Sequence, residues 1–403
     1  MLEGTVRRNL WPLVLGQSVS LLGDYLGFFL ALPVFVRDAS GGSATQLGLL
    51  GTFETVAVLG FGLIAGLVID RSRVRRTMVI ADLARAAAFA LLALAVTLEV
   101  GQVWMAFAVA FLVGAVGTLF DTGLEGVMPA VLTDDLLVTA NSRLQVGRNL
   151  AQTGGFVLGG VLLATTGGIA LALAVDAATY LVSAAAVLLL REIRPRSMAP
   201  PEPVLSSLRE GLRTLWRLRP VRWATAAASL VNLAFAPLAA VIPIYVPEEL
   251  GIEGTASLGL FFAGFATIGA AGVVLGSRVI GAIGLGRTIV LGTVLLGAGA
   301  TGAGFAHGWE GVVPFGVAAA GVSLSQVGFV TMRQRLTPPD RLGRVIAASR
   351  TIAWGGIPIG LMVGTPLADG IGMRALFGAG GLLIVLVTAV LLVSPLWVRT
   401  PVD

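Results

Sequence analysis

Long apolar stretches separated by short polar segments dominate this chain of 403 residues. A helix needs about 20 mainly apolar residues to cross the hydrocarbon core of a bilayer. Twelve stretches meet that length, roughly 10–36, 46–69, 77–98, 102–125, 144–165, 168–190, 222–246, 256–279, 288–306, 309–332, 343–367 and 373–397. The first is not expected to be a cleaved leader. It is too long for the apolar part of a signal peptide, contains Asp24, and meets no small-residue cleavage site before a soluble domain.

The polar segments between the stretches predict orientation. With the N-terminus inside, 22 of the 27 basic residues fall on inner segments, only Arg37 and Arg374 fall outside, and Arg85, Arg148 and Arg350 sit within spans. That bias follows the positive-inside rule and predicts an even number of spans with both termini cytoplasmic. Trp11, Trp104, Trp223, Trp309 and Trp397 all fall at span ends, where indole rings favour the membrane interface. The longest polar segment, 191–221, carries five prolines and splits the spans six and six. Within it Leu205, Leu208, Leu212 and Leu215 recur at helical spacing opposite Arg209, Arg213 and Arg217, and Ser207 with Glu210 has the pattern of a capping box. The segment reads either as an amphipathic helix on the inner leaflet with its arginines toward anionic lipid, or as a solvated linker helix.

Composition sharpens this picture. Hydrophobic residues make up 56% and charged residues 12%, against about 25% charged in soluble domains, so water is excluded as the main solvent. The net charge of +5 does not indicate a nucleic-acid partner, which requires a basic face on a soluble domain. All 27 basic residues are arginine, whose charge is fixed, and His307 is the single histidine. Any proton-linked switching therefore falls on carboxyl groups. Without cysteine there is no disulfide, thiolate chemistry or cysteine-bound metal, and one histidine does not make a zinc site. No cofactor or metal is expected.

The two halves resemble each other. Leu32-Pro33-Val34-Phe35-Val36 matches Ile242-Pro243-Ile244-Tyr245-Val246, Leu47-Gly48-Leu49 matches Leu258-Gly259-Leu260, and Arg76 matches Arg287. Gly154-Gly155 and Gly159 in span five match Gly355-Gly356 and Gly360 in span eleven. In order and at nearly constant offset, these matches predict a duplicated six-helix unit: 1–190 as an N-terminal bundle, 191–221 as a cytoplasmic linker, and 222–403 as a C-terminal bundle. Two parallel halves of this kind describe an alternating-access transporter with a substrate path near the bilayer midplane.

After span two the chain reads Gly66-Leu-Val-Ile-Asp70-Arg71-Ser-Arg73-Val-Arg75-Arg76. This closely resembles the loop signature of the major facilitator superfamily. Span one, Leu15-Gly-Gln17 through Asp24 to Pro33, is similar to the macrolide-efflux and enterobactin-exporter branch. So are Ala81-Asp82-Leu-Ala-Arg85, Phe120-Asp121, Asp176-Ala-Ala-Thr-Tyr180-Leu-Val-Ser183 and Gly343-Arg344-Val345. The resemblance covers nearly the whole chain. It implies an all-α membrane protein of twelve transmembrane helices in two pseudo-symmetric six-helix bundles, the major facilitator fold. It further implies proton-driven export of amphipathic small molecules such as drugs, antibiotics or siderophores, from a bacterial inner membrane, by a monomer powered by the proton motive force. Gly66, Asp70, Arg71, Arg75 and Arg76, with Asp121 and Glu125 as partners, would form a conformational latch, Asp70 meeting the start of span eleven. Two departures stand out. Span five has Gly155-Phe156-Val157-Leu158-Gly159-Gly160 where antiporters of the superfamily often carry a proline, and Gly281 occupies the second-half counterpart of Asp70.

Ionisable groups within spans cost on the order of 2.5–3.5 kcal/mol and are functional hypotheses by default. Six carboxyl groups qualify, Asp24, Glu54, Asp82, Asp121, Glu125 and Asp176, all in the first half. Asp24 and Glu54 lie at similar depths. They read as proton-coupling or substrate-binding groups, against structural hydrogen-bonded acids, and burial beside a second acid favours the protonated form of a carboxyl group. Asp82 and Arg85, three residues apart, read as a mutually neutralising pair. Arg148 and Arg350 read as snorkelling or gate groups, and Asp176 as a packing or pairing group. Phe28, Phe29, Asn149, Gln152, Asn232, Gln326 and Trp354 are candidates to line the path, against the plainer reading of packing or lipid contact. A lipid flippase and a non-transporting sensor or scaffold remain as alternative functions. No catalytic constellation or phosphate-cradling loop suggests an enzyme.

Overall fold

The structure, a computed structural model, describes residues 2–131, 134–190, 204–338 and 341–394. Among the described residues every regular element is helical. Lipid imposes this outcome, because backbone N–H and C=O groups that cannot reach water must pair within their own segment. The first half contains α1 (Leu2–Leu26), α2 (Leu32–Ala39), α3 (Ala44–Arg71), α4 (Val74–Thr97), α5 (Val103–Val131), α6 (Asp134–Leu163) and α7 (Gly168–Leu189). The second contains α8 (Val204–Arg217), α9 (Arg219–Ala240), α10 (Ile242–Glu248), α11 (Thr255–Ile283), α12 (Leu285–Ala303), α13 (Val312–Leu336), α14 (Leu342–Ile371) and α15 (Met373–Leu392). Among the described residues, eleven helical segments are long and apolar enough to cross a membrane. The remaining predicted span, 144–165, overlaps α6, a helix of 30 residues that ends at Leu163. The chain is an all-α, multi-pass membrane protein.

Contacts group the chain into two compact units, Met1–Gly42 with Phe53–Pro201 and Gly254–Ala263, and Ser43–Thr52 with Glu202–Glu253 and Gly264–Asp403. Within the first, α4 packs on α5 and α7, and α1 packs on α6 and α7. Within the second, α12 packs on α13 and α15, and α9 packs on α14 and α15. These neighbours occupy corresponding places in the two halves, so the repeat seen in the residues recurs in the packing. Ser43–Thr52 joins the second unit through α14: the backbone N–H groups of Ala44 and Thr45 donate to Asp369 Oδ1 and Oδ2 at 3.1 and 3.2 Å, and the Thr45 hydroxyl donates to Oδ2 at 2.6 Å. The carboxylate thereby supplies acceptors for free N–H groups at the start of α3.

Lipid tails are as apolar as leucine, so these helices associate by close packing rather than by escape from solvent. The repeated glycines provide it. A Cβ on Gly155 of α6 would stand 2.7 Å from Leu22 O of α1, and one on Gly159 would stand 3.2 Å from Leu26 O. In the second unit a Cβ on Gly356 of α14 would stand 2.2 Å from Ser229 O of α9, and one on Gly360 would stand 2.1 Å from Leu233 O. Gly355, adjacent in sequence, faces open space. Gly360→Ala is therefore expected to destabilise by about 1–3 kcal/mol, the usual cost of overpacking. Gly355→Ala is expected to be neutral or to stabilise by up to about 1 kcal/mol through helix propensity. Melting temperatures of the two purified variants test this; equal melting would refute the packing argument.

Span one, read from the sequence as 10–36, is one helical segment from Asn9 to Ala39, but its hydrogen-bond ladder changes register midway. A π-helical turn, Gly27–Ala31, separates α1 from α2, with Pro33 just inside α2. Proline lacks the N–H that would continue the ladder, and a π turn re-routes the bonds around such an interruption. At the corresponding place in the second half, α9 contains Pro237 and α10 begins with Ile242-Pro243.

The polar segment between the halves contains α8, with Leu208 and Leu215 packed against Val221, Val345 and Ala348. Leu212, Trp216, Arg209, Arg213 and Arg217 are exposed. The helix begins at Val204, three residues before Ser207, so the expected capping box does not mark its start. Glu210 instead pairs with Arg344 and reaches Arg341 at 3.8 Å, placing an acid at the start of α14.

Candidate functional site

The first unit contains a buried polar cluster built from α1, α4, α5 and α7. On α7, Asp176, Thr179, Tyr180 and Ser183 recur at helical spacing and all are buried. They form one polar stripe on an otherwise apolar span. The Tyr180 hydroxyl donates to Asp24 Oδ1 of α1. Further along the same contact, Gln17 Nε2 donates to Ser183 Oγ at 3.3 Å. Asp24 is half-buried, whereas Asp82 and Asp176 are fully buried.

Arg85 is the buried cation of this cluster. Its guanidinium pairs with Asp82, as the spacing predicts, and lies 4.5 Å from the Tyr180 ring centroid and 4.8 Å from that of Phe120. Phe89 stacks on the Tyr180 ring as well, with centroids 5.8 Å apart. Tyr180 therefore has two polar connections, a hydrogen bond to Asp24 and a cation–π contact with Arg85. Asp24, Asp121 and Asp176 are all within electrostatic reach of Arg85.

Glu54 projects from α3 and is half-buried. It lies within electrostatic reach of Asp24, which places the two expected coupling acids in one electrostatic environment. The α3–α5 crossing is close here: a Cβ on Gly114 would stand 2.6 Å from Glu54 O. The aromatic candidates of span one also belong to this region. Phe28 is buried and meets Phe29 and Phe89 edge-on at 5.1 and 6.5 Å, whereas Phe29 is exposed. On α6, Arg148 is exposed and within electrostatic reach of Asp24, and Asn149 and Gln152 are half-buried.

The other candidates are distributed differently. In the second unit, Asn232 Nδ2 donates to Ala353 O at 2.8 Å, so this amide is occupied by the α9–α14 contact. Gln326 is exposed. Arg350 is exposed and stacks over the half-buried Trp354, 4.2 Å from its centroid. Of the latch residues, the side chains of Gly66, Asp70 and Arg71 lie outside the described residues. Arg76 and Glu125 are exposed, Arg75 is half-buried with Nε lacking a hydrogen-bond partner, and Asp121 is exposed.

Tyr180, part of the family-like stretch of span six but given no role by the sequence, is the side chain that joins α7 to Asp24. The signal was the spacing of four polar residues along α7, which identifies a helix face but not the acid on α1 that this face meets. An alanine-rich groove of about 1080 Å³ between α4 and α7 contains none of the cluster's acids in its lining.

The architecture agrees with known transporters. The nucleoside transporter NupG superposes with a TM-score of 0.75 at 11% identity, covering 95% of this chain and 98% of that one. A bacterial homologue of the human lysosomal transporter Spinster superposes with a TM-score of 0.74 at 12% identity, covering 96% and 95%. In sequence, the multidrug efflux pump Tap of Mycobacterium tuberculosis (strain ATCC 25618 / H37Rv) is 27% identical over 373 residues, 88% of this chain and 86% of that protein. Tap of Mycolicibacterium fortuitum is 29% identical over 404 residues, 91% and 90% of the two chains. Residues 13–315 match the family model described as Major Facilitator Superfamily, and with the repeated six-helix packing this assigns the chain to that superfamily.

Proposed function

We propose that this chain is a secondary active transporter that exports amphipathic small molecules from a bacterial cell in exchange for protons. The names of its relatives in sequence, multidrug efflux pumps, support the substrate class. The observation that carries the coupling is the environment of Asp24, a half-buried carboxyl group held on one oxygen by Tyr180 and within electrostatic reach of Glu54 and Arg85. Acids are expensive in a membrane interior and are kept there for a function. With Arg charges fixed, these carboxyl groups are the groups available to take and release protons.

In this reading Asp24 and Glu54 bind protons when open to the outside and release them inside as substrate binds. Phe28, Phe29, Asn149 and Gln152 of the first unit are candidates to line the substrate path, as are, within the second unit, Asn232, Gln326, Arg350 and Trp354. Asp70, Arg71, Arg75, Arg76, Asp121 and Glu125 act as the latch between states. The partner-free Nε of Arg75 is consistent with a carboxylate partner in another state. Both termini face the cytoplasm, the protein acts as a monomer in the inner membrane, and the proton motive force replaces any cofactor.

The test is transport in proteoliposomes with an acidified lumen and a lipophilic fluorescent cation in the bath. Proton efflux is expected to drive dye accumulation against its own gradient, and a protonophore is expected to abolish it. Accumulation that ignores the proton gradient would reject the coupling. Translocation of a fluorescent lysophospholipid under those conditions would support the flippase reading instead.

A further inference from the structure

The proton-coupled reading leaves one acid unexplained. Asp176 on α7 has 0% exposure. Its Oδ1 is reached by the Thr179 hydroxyl at 3.4 Å, which also donates to the carbonyl of Asp176 at 2.8 Å, and the backbone N–H of Phe28 lies near enough to interact with the carboxyl group. Its Oδ2 is buried with no hydrogen-bond partner. Unsatisfied buried polar atoms are rare in folded proteins and require a specific cause.

The surroundings are built around this carboxyl group. A Cβ on Gly27 would fall 2.3 Å from Asp176 Oδ2, and a Cβ on Gly23 would fall 2.6 Å from Oδ1. Two glycines on one face of span one thus make room for the acid. Gly27 is also the first residue of the π-helical turn, the point where the ladder of span one shifts register. Such turns are frequent at functional sites and provide a backbone that can rearrange.

Charge balance supplies the second argument. The titratable and charged groups of the cluster around Asp176 are Asp24 and Tyr25 of α1, Glu54 of α3, Asp82 and Arg85 of α4, Asp121 of α5, Arg148 of α6 and Tyr180 of α7. Asp24, Asp82 and Asp176 share one buried cation, Arg85, and that cation is paired to Asp82. An unpaired carboxylate here would bear a large desolvation cost. A bound proton removes that charge.

We propose that Asp176 is a proton-binding site of the transport cycle, distinct from Asp24, which holds its proton while the π-helical turn of span one covers it and releases it when that turn moves away. The proposal rests on the proton-coupled reading and adds a carrier to it. Asp24 and Asp176 border the same α1–α7 contact, so one movement of span one acts on both.

Infrared spectroscopy of the protein in lipid vesicles at neutral pH reads protonated carboxyl groups directly through their carbonyl stretch. Asp176→Asn is expected to delete one such band, and Asp24→Asn is expected to retain it. Thr179→Val, which removes the hydroxyl reaching Asp176, is expected to shift the same band, so the assignment holds even if Asp176→Asn does not fold. In the proteoliposome assay Asp176→Asn is expected to lower gradient-driven uptake to the gradient-free rate. A band insensitive to Asp176→Asn or Thr179→Val overturns the proposal, and so does wild-type uptake by a folded Asp176→Asn variant. If wild-type protein itself ignores the proton gradient, the failure belongs to the coupled reading.

Discussion

Asp24→Asn is expected to reduce gradient-driven accumulation to the level of passive leak while leaving the protein folded. The asparagine carbonyl oxygen takes the place of Asp24 Oδ1 and still accepts the Tyr180 hydroxyl. The stability change is thus limited to the difference between a charge-assisted and a neutral hydrogen bond, about 1 kcal/mol. What the substitution removes is the titratable proton. Tyr180→Phe is the informative companion. It keeps the carboxyl group, deletes the hydroxyl that holds it and leaves the ring on which Arg85 rests. Uptake by Tyr180→Phe is expected to remain gradient-driven with an altered pH profile, because the proton site survives in a changed environment. Wild-type accumulation by Asp24→Asn would remove Asp24 from the coupling path and leave Glu54 and Asp176 to carry it.

The architecture was largely legible in the residues because the physical constraint is coarse. A stretch of about 20 apolar residues must cross the bilayer wherever its side chains point. Gly155, Gly159, Gly356 and Gly360 could also be read, since small residues at helix crossings recur with the repeat, and they lie at the α1–α6 and α9–α14 contacts. The site was less legible because it depends on rotation about each helix axis. Nothing in the spacing between Asp24 and Tyr180, 156 residues apart, brings them together. The amide of Asn232 shows the same limit: a polar residue in a span can line a path, satisfy a neighbouring backbone carbonyl such as Ala353 O, or do both. The π-helical turn was invisible to hydropathy, because shifting one backbone bond changes no residue's polarity. At α8, Ser207 and Glu210 matched a capping pattern, but tertiary pairing with Arg344 claimed the glutamate.

Arg85→Ala is expected to have the largest effect on folding, lowering stability by about 3–5 kcal/mol, the usual consequence of removing one member of a buried ion pair. It would strand Asp82, which is fully buried, and empty the space between the Tyr180 and Phe120 rings. Arg85→Lys should recover only part of this, because a compact ammonium does not reproduce a planar guanidinium stacked between rings. The pair is itself incompletely satisfied, since Asp82 Oδ2 and Arg85 Nε lack hydrogen-bond partners. Replacing both members with apolar side chains of similar volume, Asp82→Leu with Arg85→Met, is therefore expected to restore most of the lost stability. Melting of the wild type, both single variants and the double variant forms a cycle that isolates the pair. Additive losses would refute the ion-pair account. The rescued double variant would then separate packing from coupling. It would keep a folded bundle but lose the cation that Asp24 and Asp176 share, so its pH profile for transport is expected to differ from the wild type. An unchanged profile would mean that Arg85 serves the fold alone and that the acids titrate without it.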